Sequence, residues 1–102
     1  MKYVYLIQSL EDGYYKIGVS KHPNRRLSAL QTGNSSELKL VESYESEHAN
    51  SIEKSLQRRY SYLKKEGEWF EMSIINEITF LKECENIEKN IIILKESGNQ
   101  FI

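Results

Sequence analysis

Two short runs, Lys2–Gln8 and Tyr14–Ser20, alternate along the chain and are rich in β-branched and aromatic residues, and the "SLEDG" between them ends in Asp-Gly. Alternation closed by Asp-Gly is the strongest local signal for a β-hairpin. Lys16, in the middle of the second run, then restricts the register. Residues directly opposite in antiparallel strands share a face, and a slip of one residue exchanges the faces. One register gathers Val4, Leu6, Tyr15, Ile17 and Val19 on one side and leaves Tyr3, Tyr5, Tyr14, Lys16 and Gly18 on the other. The alternative sets Lys16 among Val4 and Leu6, burying an unpaired charge at a cost of several kcal/mol. The first register is therefore expected, with the Tyr5 hydroxyl and the Lys16 ammonium as neighbours on the more polar face.

The rest of the chain supplies partners for this hairpin. "KHPNRRLSALQTGN" reads as a short helix, with Pro23 in its first turn, Leu27 and Leu30 on one face and Gly33 at its C-terminal cap. Leu38–Tyr44 alternates as a third strand, with Leu38, Leu40 and Tyr44 expected on one side. Ala49, Ile52, Leu56, Tyr60 and Leu63 step by three and four, the stripe of an amphipathic helix over 49–63. "KKEGEWFEMS" interrupts it with a short aromatic segment, expected to be extended at a sheet edge. A last helix is expected over about 74–95, with Phe80, Cys84, Ile87, Ile91 and Leu94 along one seam. The order implies an α/β (α+β) fold: a small, mainly antiparallel, three-stranded sheet flanked by helices. The division expected is a domain over residues 1–73 and a C-terminal helix over 74–102, packed on that domain or used for dimerisation.

Composition narrows the setting. A chain of 102 residues with one cysteine, Cys84, has no intrachain disulfide and no Cys-rich zinc site, which fits a reducing compartment. Its first residues lack the apolar stretch of a signal peptide, and no apolar run reaches the ~18 residues of a membrane span. A cytoplasmic protein without membrane contact is expected. The net charge of −1 disfavours a histone-like nonspecific DNA binder. The charge is unevenly spread, however: residues 1–36 carry five Lys/Arg against two acids, and residues 37–102 nine against thirteen. One basic face could therefore meet a phosphate backbone, with Lys16, Lys21, His22, Arg25 and Arg26 as candidate contacts.

Four residue types suit phosphodiester hydrolysis if the fold gathers them. Glu53 borders the apolar stripe of its helix and could give a hard divalent cation one ligand, water and phosphate supplying the rest. Arg26 could pair bidentately with phosphate oxygens. The Tyr5 phenol, beside a lysine or a cation, could take a proton from water. Each has a purely structural use as well: tyrosines pack hairpins, Lys16, Arg25 and Arg26 can be solvated, and Glu53 can pair with Lys54 or Arg58.

The ordered set resembles the GIY-YIG nuclease superfamily, in the branch whose motifs read "YVY" and "KIG". "YVYLI" (Tyr3–Ile7) matches the first motif, "YKIGVS" (Tyr15–Ser20) the second, and "PNRRLSALQTGN", "ANSIEKSLQRRY" and "GEWFEM" follow in order. Over residues 2–73 the resemblance implies a nuclease that cleaves DNA with Mg²⁺ or Mn²⁺. It implies Glu53 on the metal, Tyr5 as general base, Lys16 supporting the water or the charge with Tyr15 as the alternative, and Arg26 stabilising the transition state. Two positions depart from that branch: Gln57 replaces a frequent histidine, and "EWFEM" offers no closing asparagine. A catalytically silent nucleic-acid-binding module and a protein-interaction adaptor are the alternatives from other classes.

Overall fold

The computed structural model describes residues 1–98, so the end of the expected C-terminal segment, 99–102, lies outside the described residues. β1 (Lys2–Ser9) and β2 (Tyr15–Ser20) form the hairpin in the expected register, with Val4 opposite Val19, Tyr5 opposite Gly18 and Ile7 opposite Lys16. Its turn depends on Gly13, which takes φ of 78°, while the Asp12 carboxylate accepts a 2.9 Å hydrogen bond from the Tyr14 amide. α1 (Pro23–Thr32) follows, then β3 (Leu38–Ser46) on the far side of β1. α2 (Ala49–Arg59) and a 3-10 turn (Ser61–Leu63) lead to β4, which is only Trp69–Phe70 and pairs with Tyr15 and Lys16. The expected edge segment thus adds a fourth strand, and the antiparallel sheet runs β3-β1-β2-β4.

Helices cover both faces of the sheet. On one face Val4, Leu6, Tyr15 and Ile17 pack with Ala49, Ile52 and Leu56 of α2 and with Phe80, Cys84, Ile87 and Ile91 of α4 (Phe80–Glu96). On the other, Tyr5, Ile7 and Leu38 form a smaller cluster with Leu27 and Leu30 of α1 and with Leu40 and Trp69. Val4, Tyr5, Leu6 and Ile7 are therefore all buried, and the face expected to be the more polar one has an apolar floor beneath α1.

Three local expectations change. The β1–β3 register shifts between Leu6 and Ile7, so that Leu6 faces Glu42 and Ile7 faces Leu40. The extra residue exchanges the faces of β3: Leu38 and Leu40 join the α1 side, whereas Tyr44 joins the α2 and α4 side. α2 stops at Arg59, where Tyr60 caps it and the chain tightens into the 3-10 turn. The last helix is split at Thr79 into α3 (Ile74–Ile78) and α4, with a Ser73–Asn76 capping box starting α3.

Polar ties fix α4 in place. Tyr44 donates a 2.6 Å hydrogen bond to Glu88, Ser46 also bonds that carboxylate, and Arg59 of α2 pairs with Glu83. Burial holds the Cys84 thiol up to about 12, which leaves it protonated and unreactive at neutral pH. Among the described residues no helix is long and apolar enough to cross a membrane.

Candidate active site

β4 covers only two residues of β2, so the outer edge of β2 beyond Lys16 has no strand partner among the described residues. A bare edge of this kind is where side chains from both layers can meet. α2 reaches it from one face: the Gln57 amide donates a 3.3 Å hydrogen bond to the Ile17 carbonyl. This gives Gln57, where a histidine was the resemblance's norm, a structural task.

Tyr5 arrives from the other face. Its partner across the hairpin is Gly18, and a Cβ built at Gly18 would overlap the Tyr5 hydroxyl and the ring carbon that bears it. The phenol therefore lies directly over the Gly18 backbone and carries its oxygen across β2 toward the open edge. Only glycine leaves that path free. The ring is buried, yet its hydroxyl makes no hydrogen bond to a described residue and is not among the sealed polar atoms. It remains available to solvent or to a substrate.

Lys16 supplies the charge beneath. It is 7% exposed and forms an ion pair with Glu68, the residue before β4. Gly67, at φ of 66°, turns the chain so that Glu68 stands over the β2 edge. Glu53, on the half-buried border of α2, belongs to the same group. Its pKa is raised, first by burial and then by the Glu68 charge, with Lys54 and Lys16 opposing. Glu68 in turn is held low, chiefly by its hydrogen bond and charge contact with Lys16, and Arg26 and Lys64 also contribute. Glu68 thus pairs with Lys16 and lies within electrostatic reach of Glu53 and Arg26.

Not every expected residue joins this group. Tyr15 faces the opposite layer, where its hydroxyl donates a 2.6 Å hydrogen bond to Glu77, and burial with that carboxylate pushes it up to about 12. A phenol so held has no route to the β2 edge, which leaves Lys16 as the second-strand residue of the site. Lys21, His22 and Arg25 line a different cleft, about 500 Å³, with Tyr3 and Asn24 at the start of α1. Glu68 and Gly18 were not singled out by sequence reasoning. The signal for Gly18 was its place opposite Tyr5; Glu68 gave none, because its neighbour Lys16 is 52 residues away in sequence.

The donor set suits a hard cation that keeps most of its water. Mg²⁺ is commonly held by one or two carboxylates with substrate phosphate supplying further oxygens, and Glu53 with Glu68 beside it offers that number. Among the described residues no group of three or more His, Cys, Asp or Glu side chains forms a closed metal cage.

A four-stranded antiparallel sheet between helices, with Tyr5, Lys16 and Glu68 at one open edge and Glu53 and Arg26 within electrostatic reach of Glu68, defines a small α+β domain with a polar cluster. The T5orf172 domain model matches residues 2–91, and the chain belongs to that family, which is of a nuclease-like, DNA-binding type. This corrects the GIY-YIG assignment: the match is to T5orf172, and no GIY-YIG model matches. The motif-sized likenesses do not carry that assignment, because alternation in β1 and a glycine opposite Tyr5 are also what packing this hairpin demands. The family match further takes in α3 and most of α4, which those motifs left out. No curated protein and no solved structure matches the chain.

Proposed function

We propose that this domain is a divalent-metal-dependent endonuclease that hydrolyses DNA phosphodiester bonds, acting in the cytoplasm. The observation that carries the reading is the Tyr5 phenol laid over Gly18 toward the edge where Lys16 pairs with Glu68, within electrostatic reach of Glu53. Glu53, assisted by Glu68, would hold Mg²⁺ or Mn²⁺, which when bound neutralises charge on the phosphate and acidifies nearby water. Tyr5, acting as the phenolate, orients the attacking water and accepts its proton as the new P–O bond forms, while the bond to the leaving sugar oxygen breaks and that oxygen takes a proton from solvent. Arg26, exposed at the start of α1, pairs with phosphate oxygens and stabilises the charge of the transition state. Lys16 contributes charge from below once a phosphate competes with Glu68 for its ammonium. Lys21, His22 and Arg25 extend the contact to flanking phosphates.

Relaxation of supercoiled plasmid tests this. The wild type is expected to nick plasmid with Mg²⁺ or Mn²⁺ and to stop in EDTA, and Arg26→Ala is expected to slow nicking by roughly 100-fold or more. A second reading, DNA binding without hydrolysis, draws support from the small number of carboxylates at the site. Saturable DNA binding with no nicking by either cation would decide for it.

Gly18→Ala separates the geometry from the charges. The added methyl must displace the Tyr5 ring, which costs about 1–3 kcal/mol of stability for an overpacked core and about 100-fold in rate for a misplaced group. Gly33→Ala meets nothing within 4 Å and is the matched control, with thermal unfolding and nicking both unchanged.

A further inference from the structure

A second cleft, of about 510 Å³, opens beside the site and is lined by Lys54, Gln57, Arg58, Ser61, Lys64 and Glu68. Its charge is lopsided: three cations face one carboxylate, Glu68, which also pairs with Lys16. Three other cations in this half of the chain are paired, Arg59 with Glu83, Lys65 with Glu71 and Lys89 with Glu85, and Lys39 and Lys82, which form no ion pair among the described residues, do not line the cleft. Lys54, Arg58 and Lys64 form no ion pair with any described residue and are all exposed. Residues 37–102 hold an excess of acids, so a cation-rich groove here is not a by-product of composition. Lys54 and Arg58 are also four residues apart on α2, a like-charge spacing that weakens a helix slightly. A fold keeps such a pair more readily when an anion bridges it.

The cleft is continuous with the site: Glu68 belongs to both, and Gln57 lines the cleft while bonding the β2 edge. We propose that the cleft is a phosphate track, in which Lys54, Arg58 and Lys64 hold the DNA backbone on one side of the phosphate that lies over Lys16. This rests on the reading of the neighbouring site as one that acts on DNA. It adds a contact surface on α2 and the 3-10 turn, opposite the α1 residues already assigned to DNA.

Fluorescence anisotropy with a labelled 30-base-pair duplex, in EDTA and over a series of salt concentrations, reads binding without cleavage. The triple variant K54Q/R58Q/K64Q is expected to bind at least tenfold more weakly near ~0.1 M salt, with a log–log salt slope shallower by about 2–3, as each lost phosphate contact removes about 0.9. Its circular dichroism and thermal midpoint should match the wild type, since all three side chains are exposed. K82Q/K89Q, on the exposed side of α4, should bind as the wild type does. An unchanged affinity and slope in the triple variant overturns the track even if the wild type nicks plasmid. Weakened binding in that variant sustains the track even if no nicking is seen. A wild type that binds no duplex at low salt overturns it outright.

Discussion

Glu53→Gln is expected to abolish plasmid nicking, by a factor of at least ~10³, and in the same sample to raise the thermal midpoint of the metal-free protein. The loss follows from replacing the one α2 carboxylate at the site with an amide of equal size that binds a hard cation poorly. The gain follows from electrostatics. The pKa of Glu53 in the folded chain stands above its unfolded value, because burial and then the Glu68 charge disfavour ionisation more than Lys54 and Lys16 favour it. A carboxyl raised in this way binds its proton more tightly folded than unfolded, so stability is fullest below the unfolded pKa and falls as pH rises through the folded one. At neutral pH the ionised group therefore works against the fold, and glutamine removes that opposition. The midpoint difference between variant and wild type should accordingly shrink on going from pH 7 to pH 4, measured in EDTA. A carboxylate kept only for structure would show the reverse, a midpoint that drops on substitution. Activity and stability moving in opposite directions is the pattern expected of a residue retained for chemistry.

The same residues show what the sequence can and cannot disclose. The register of β1 and β2 was legible because Lys16 admitted only one solution, and from it came the shared face of Tyr5 and Lys16. The position of Glu53 was legible in part, since its place at the border of the α2 stripe excluded open solvent. Glu68 was not legible. Its position over Lys16 comes from Gly67 and from a strand only two residues long, and neither leaves a periodic trace. The register shift near Val41 was hidden for a similar reason. No glycine or proline marks it, and the alternation of Leu38, Leu40 and Tyr44 reads as one unbroken face until pairing with β1 inserts the extra residue. Tyr15 and Lys16 adjoin in sequence but point into opposite layers, so a motif that includes both cannot assign both to one site.

Phe80→Ala is expected to be the most damaging single substitution outside the sheet, lowering the unfolding free energy by about 3–5 kcal/mol. Phe80 is fully buried at the start of α4, in one cluster with Val4 and Leu6 of β1 and Ile52 and Leu56 of α2. Removing its ring leaves a void among residues fixed by both the sheet and a helix, which cannot collapse to fill it. Against a total of about 5–15 kcal/mol for a domain of this kind, that loss should lower the midpoint by roughly 15 °C or more. Ile78→Ala, two residues earlier at the end of α3 but 73% exposed, should stay within about 0.5 kcal/mol. Ile87→Val, milder, should cost about 0.5–1.5 kcal/mol and gives a measurable value if Phe80→Ala does not fold. A C-terminal helix used only for dimerisation would respond differently, with changed sedimentation and little change in the midpoint at high protein concentration. Its inner face, however, is occupied by Phe80, Cys84, Ile87 and Ile91 in the domain core. Without α4, the layer that seats α2, and with it Glu53, loses Phe80, Cys84, Ile87 and Ile91 from its core.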